Sequence, residues 1–167
     1  MNIKTKKNQD VFDAYFKWKD LNNLIKKQYS RGVNLHEYIT ENLCCIVNDY
    51  ELHASEGGSE DAINSKGQKI QIKGTSNFND DLSSFGPKSE FDILEFVRLD
   101  QMKDIFYFYR IDIKFLKEIY VNANETFFQK QKTGQRPRFS IIAKIIKKHN
   151  LKPYALVEMK TGNVKKM

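Results

Sequence analysis

Within the stretch Gly57–Ser76, three polar side chains have the types and spacing for phosphodiester chemistry. Asp61 follows the Gly57-Gly58 pair and Glu60, and the run Lys69-Ile70-Gln71-Ile72-Lys73 comes after a turn of Asn64, Ser65 and Gly67. Strand side chains alternate between faces, so Ile70 and Ile72 share one face while Lys69, Gln71 and Lys73 share the other. Asp61, Gln71 and Lys73 can therefore converge on one side of a strand. A carboxylate and an amide oxygen suit a hard metal ion, and a lysine beside them can balance charge growing on a phosphate.

Elements on both sides must position these groups. From Asp10 a helix is expected, because Val11, Tyr15, Trp18, Leu21 and Ile25 recur at three- and four-residue steps. Phe12, Phe16 and Leu24 widen the stripe, which reads as core. Gly32 breaks that helix. Asn34 with Glu37 makes a capping-box arrangement for a second helix, whose stripe is Leu35, Ile39, Leu43, Ile46 and Val47. Glu37 then has a capping role. Glu41 falls opposite the aliphatic stripe, between Cys44 and Cys45 in azimuth and near Tyr38. It is a candidate metal ligand, with a plain exposed glutamate as the alternative.

Strands are expected at Tyr50–His53, Gln68–Lys73, Phe91–Leu99, Ile105–Ile111 and Tyr154–Met159, and helices at Asp112–Tyr120 and Ser140–His149. Phe91–Leu99 is apolar on both faces and so should be central. Between them lie a polar, turn-rich loop, Ser76–Ser89, and a basic stretch, Asn122–Arg138. Residues 1–9 read as a frayed arm and 160–167 as a loose tail. The order gives an α/β class with a mixed central sheet of about four to five strands flanked by helices.

The totals exclude several classes. A chain of 167 residues suggests one domain. No apolar run approaches the roughly 20 residues of a membrane span, and no secretory signal opens the chain, so a cytoplasmic protein with no membrane partner is expected. Cys44 and Cys45 are adjacent, too strained to bridge and not in a zinc spacing. His36, His53 and His149 form no constellation. A net charge of +7 favours a polyanionic partner.

The motif of Asp61 followed by Gln71-Ile72-Lys73 resembles the PD-(D/E)XK nuclease superfamily. Agreement extends to Tyr29-Ser30-Arg31-Gly32, Gly58-Ser59-Glu60-Asp61-Ala62, Ser83-Ser84-Phe85-Gly86-Pro87-Lys88, Phe96-Val97-Arg98-Leu99-Asp100 and Arg136-Pro137-Arg138-Phe139-Ser140. Together these segments resemble Type II restriction endonucleases of the Bsp-six-I-like group over roughly residues 15–142. Two positions depart: Glu60 stands where a proline is usual, and Gln71 where a second acid is usual. Without that acid, another must complete a metal site. The superfamily often takes a ligand from the helix before the core strands, which favours Glu41 over Glu60.

The resemblance implies a magnesium-dependent, sequence-specific double-strand DNA endonuclease. Asp61, Gln71, the Ile72 carbonyl and Glu41 would serve the metal, and Lys73 the phosphate and attacking water. Gln135, Arg136 and Arg138 offer donors just before a helix, and Ser83, Ser84 and Lys88 follow the catalytic strand; each is a candidate DNA contact or an ordinary surface residue. An interrupted, G/C-rich palindrome of the GCNGC kind, a C2 homodimer and a companion DNA methyltransferase are implied. A structure-selective or modification-dependent nuclease of the same fold, or an inactive DNA-binding module, are the alternatives.

Overall fold

The structure, a computed structural model, describes residues 1–53 and 60–167. Among these, seven strands make one mixed sheet in the order β1-β2-β3-β5-β6-β8-β9. They are β1 Glu51–Leu52, β2 Ala62–Ile63, β3 Lys69–Thr75, β5 Ile93–Asp100, β6 Ile105–Asp112, β8 Ala155–Glu158 and β9 Val164–Lys166. A separate two-stranded ribbon pairs β4 Ser83–Ser84 with β7 Arg138–Phe139. The expectation of four to five strands is therefore too low. Strands of two or three residues, such as β2 and β9, are too short to show alternation, and their neighbours' open edges decide their pairing.

β3 and β5 run parallel; the other neighbours in the sheet are antiparallel. Parallel neighbours need a long crossover, usually a helix. Here residues 76–92 make that crossover without one and carry only β4. β5 is the central strand that its two apolar faces require, and Leu94 to Asp100 are all buried.

Helical elements cover both faces of the sheet. On one side α1 Gln9–Lys26 and α2 Glu37–Asn48 pack Phe12, Tyr15, Ile39 and Leu43 against Ile70, Ile72, Val97 and Phe108. On the other side α3 Ile113–Lys117, α4 Phe127–Lys132 and a C-terminal helix, π-wound over Ile142–Lys147, enclose a second core. That core joins Leu94, Phe96 and Tyr109 of the sheet to Phe85, Phe127, Phe139 and Ile145. None of the described helices is long and apolar enough to cross a membrane.

Several local readings are corrected. The first helix buries Val11, Phe12, Tyr15 and Trp18, but Leu21 and Leu24 are exposed and Asn22 is buried instead. The reason is the returning chain: Asn22 Oδ1 accepts the Val33 N–H at 3.0 Å, and the Trp18 indole donates to Val33 O at 3.0 Å and Asn34 O at 3.1 Å. With its carbonyl held there, Asn34 does not cap α2. His36 does, its Nδ1 accepting the Tyr38 N–H at 3.1 Å. The basic stretch after Asn122, given no element in the sequence, holds α4, which Thr126 and Gln129 cap reciprocally.

Nor are the ends loose. Ile3 is buried and donates its N–H to Gly162 O at 2.8 Å, Val164 N–H donates to Met1 O at 2.8 Å, and β9 closes the sheet edge. Backbone pairing does this while the lysine side chains of both segments stay in water, so composition carried no sign of it.

Candidate active site

Asp61 lies at the entry to β2. Ala62 faces Ile70 in the ladder, yet the Asp61 N–H donates to that same Ile70 carbonyl at 2.8 Å, so two residues oppose one. Such a bulge bends the strand and re-aims a side chain. Here it turns the Asp61 carboxylate onto β3. Oδ2 accepts the Ile72 N–H at 2.6 Å and a short hydrogen bond from Gln71 Nε2. A strand residue sends its N–H and C=O to the same edge, so the Ile72 carbonyl also points towards the Asp61 side. Burial pushes the Asp61 carboxyl upwards, against the opposing pull of the Ile72 N–H, Lys73 and Gln71.

The alternation along β3 is as the sequence suggests. Ile70 and Ile72 enter the core beneath α1 and α2. Gln71 and Lys73 pair with Leu94 and Phe96, whose side chains belong to the opposite core. Gln71 is buried, with its amide nitrogen rather than its oxygen on Asp61. Lys73 is half-buried, its Nζ 5.8 Å from the centre of the Phe85 ring.

Glu41 is half-buried on α2, which packs against β3. Burial, then the Asp61 charge, then Glu37 push its carboxyl from 4.5 up to about 7, while Lys73 pulls the other way. Glu41, Asp61 and Lys73 thus share one electrostatic neighbourhood. The close approach of α2 to β3 depends on Gly74: a Cβ there would sit 2.5 Å from Thr40 Cγ2, the residue beside Glu41. Glu60, the alternative acid, faces elsewhere, 3.5 Å from His53 and 3.7 Å from Lys69. Gly57 and Gly58 lie outside the described residues.

The two segments expected to touch DNA are brought together. Ser83 pairs with Phe139 and Ser84 with Arg138, and the Phe85 N–H donates to Pro137 O at 3.0 Å. In this ribbon Ser83 and Phe139 face inward, and Arg136 and Arg138 are exposed. Ser83, Ser84 and Lys73 line one depression of about 380 Å³, so the ribbon stands next to the lysine. Gln135 is held by Lys130 Nζ at 2.7 Å. Lys88 lies apart from that depression, in another of about 800 Å³ with Lys69, Lys117 and Lys132.

With this geometry in place, the relatives of the chain become decisive. A sequence model described as Bsp6I restriction endonuclease matches residues 3–148. The Type II restriction enzyme Bsp6I from Bacillus sp. (strain RFL6) is 43% identical over 162 residues, covering 95% of this chain and 92% of that protein. The chain belongs to the Bsp6I restriction endonuclease family. Membership makes it a site-specific deoxyribonuclease, with DNA as substrate and a divalent metal ion implied. The donors fit such an ion only in part. Asp61, Glu41 and the Ile72 carbonyl carry hard oxygens of the kind such an ion takes, but no cluster of three or more His, Cys, Asp or Glu forms among the described residues.

Two residues escaped the sequence reading. Glu95 is fully buried beside Ile72 in the parallel ladder. It accepts from Arg110 Nε at 2.6 Å, Tyr50 OH at 2.9 Å and Tyr154 OH at 2.9 Å. Asn48 at the end of α2 joins through Arg110 at 3.0 Å and Tyr154 at 2.7 Å. This network ties α2, β5, β6 and the segments leading into β1 and β8 behind the site. An acid in the middle of a largely apolar strand was its only signal. Asp81 is the other, and nothing in its polar loop marked it.

Proposed function

We propose that this member of the family is a magnesium-dependent endonuclease that cuts both strands of DNA at a short, G/C-rich interrupted palindrome. The observation that carries the reading is the hydrogen bonding of Asp61 to Gln71 and the Ile72 N–H next to Lys73, within the electrostatic reach of Glu41 on α2 and beside the exposed Arg138 of the β4–β7 ribbon. Asp61, Glu41 and the Ile72 carbonyl would hold the ion, with the Gln71 amide turned to present Oε1. When bound, it polarises the scissile phosphate and acidifies a water.

The chain's own residues supply the remainder. The Ile72 N–H and the Lys73 charge favour ionised Asp61 against its burial. Lys73 offers its ammonium to charge developing on the phosphate and hydrogen-bonds the attacking water. Arg136 and Arg138 reach the bases or backbone, guanine being the commonest partner of a bidentate arginine. Ser84 stands beside Arg138 on the ribbon, and Gln135, Ser83 and Lys88 are second-rank contacts given the positions they occupy. A C2 homodimer would match a palindrome, and a companion methyltransferase would protect the host's own sites. The antiparallel run β1-β2-β3 followed by parallel β5 supports a PD-(D/E)XK core.

Lys73→Ala tests the assignment. Plasmid cleavage with magnesium should be lost while DNA binding persists. Cleavage at the wild-type rate would sink the site as drawn. Discrete wild-type fragments, rather than a smear, would support site-specific cutting.

A further inference from the structure

Asp81 lies in the crossover between β3 and β5, and its carboxylate is used to capacity. Oδ2 accepts from Ser83 Oγ at 2.8 Å and the Ile141 N–H at 3.0 Å. Oδ1 accepts from Ser140 Oγ at 2.9 Å and the Ile142 N–H at 2.8 Å. A carboxylate has about four lone-pair sites, and four donors fill them. Asp81 lines the same depression as Lys73, Ser83 and Ser84. A free acid there would repel phosphate and could read cytosine. One saturated by four donors is left with no lone pair for a base or a metal.

Its partners show what it does instead. Ser83 belongs to β4, Ser140 follows directly after β7, and Ile141 and Ile142 open the C-terminal helix. One carboxylate thus joins both strands of the ribbon to the helix behind them. Ser140 Oγ in turn accepts the Ala143 N–H at 3.0 Å, extending the tie into the first turn. From the other side Gln131 of α4 donates to Gly86 O at 3.1 Å and Ser89 O at 3.2 Å, fixing the chain that leaves β4. The ribbon has only two residues in each strand, so its ladder alone cannot fix its tilt. Base readout by a side chain depends on that tilt, because bidentate contacts need their donors placed to within tenths of an ångström.

We propose that Asp81 is the positioning residue that sets how faithfully the β4–β7 ribbon distinguishes one DNA site from its single-base variants. The inference rests on the reading that Arg138 and its ribbon contact DNA. Asp81 touches neither the reacting atoms nor the bases, so its removal should spoil discrimination rather than the chemical step.

The experiment compares wild type, Asp81→Asn and Arg138→Ala on oligonucleotide duplexes carrying the site mapped from wild-type fragment ends, and on every single-base variant. Asp81→Asn keeps the shape but replaces an acceptor with a donor facing donors. Its ratio of kcat/KM between site and variants should fall by about tenfold or more, the worth of one good base contact. Its single-turnover rate at saturating cognate DNA should stay within about threefold of wild type, as expected where transition-state contacts are intact. An unchanged ratio in folded protein overturns the proposal, and so does an equal loss of rate on all duplexes, which marks a merely structural role. Should Asp81→Asn not fold, Ser140→Ala removes one donor and is judged by the same ratio. A wild type that cuts no DNA would instead sink the endonuclease reading. An Arg138→Ala protein with wild-type discrimination would sink the ribbon as reader, and this proposal with it.

Discussion

Replacing Glu41 with glutamine should make the metal-free protein more stable at neutral pH and flatten its pH dependence. Burial and the neighbouring Asp61 push the Glu41 carboxyl from 4.5 to about 7. A raised pKa means that the folded state binds this proton more tightly than the unfolded chain does. Stability then falls as pH rises through the window from about 4.5 to about 7, and the loss is complete above it. A shift of that size corresponds to about 3 kcal/mol at most. Glu41 is only half-buried, and solvent screening reduces the figure to about 1–2 kcal/mol. The assay is urea unfolding in EDTA at pH 5, 6, 7 and 8 for wild type and Glu41→Gln. The wild type should lose about 1–2 kcal/mol across this series relative to the variant, with m-values unchanged. With magnesium the order should reverse, because wild type gains binding energy that glutamine cannot match. Parallel pH profiles for the two proteins in EDTA would refute the placement of Glu41 beside Asp61.

Glu95→Ala should cost about 3–5 kcal/mol, because it strands Arg110 and two tyrosine hydroxyls, and should lower Tm by about 10 °C; calorimetry checks this. Glu95→Gln should cost less, since one acceptor oxygen remains. Gly74→Ala should force α2 away from β3 at Thr40, weakening magnesium binding in calorimetric titration by about tenfold while the protein still folds; unchanged binding would mean that Glu41 is not a ligand. Arg136→Ala with Arg138→Ala should flatten the salt dependence of DNA binding by about one to two units of log–log slope, read by fluorescence anisotropy.

The local placement of the candidate groups was legible in the chain itself. Alternation across Lys69–Lys73 placed Gln71 and Lys73 on one face, and helical azimuth set Glu41 opposite the aliphatic stripe of α2, whereas the capping role expected of Glu37 is not found, since His36 caps that helix. Long periodic elements were legible too, since β5, β6 and α2 each present a regular apolar face. The failures have one cause. Leu21 and Leu24 fit the stripe of α1 and yet lie in water, because the returning chain at Val33 and Asn34 engages Asn22 and Trp18 instead. His36 caps α2 because Trp18, far along the chain, holds the carbonyl of Asn34.

The sequence by itself determined which groups were present and which face of a local element each occupied, for those properties follow from neighbours a few bonds away. Only the tertiary structure decided what those groups meet. It needed the bulge at Ala62–Ile70 to aim Asp61, and the gap left by Gly74 to bring Glu41 close. It needed a carboxylate at Asp81 to join two polar segments into a ribbon beside Lys73. These contacts span residues far apart in sequence, and their geometry is set by how the layers pack rather than by any local preference of the chain.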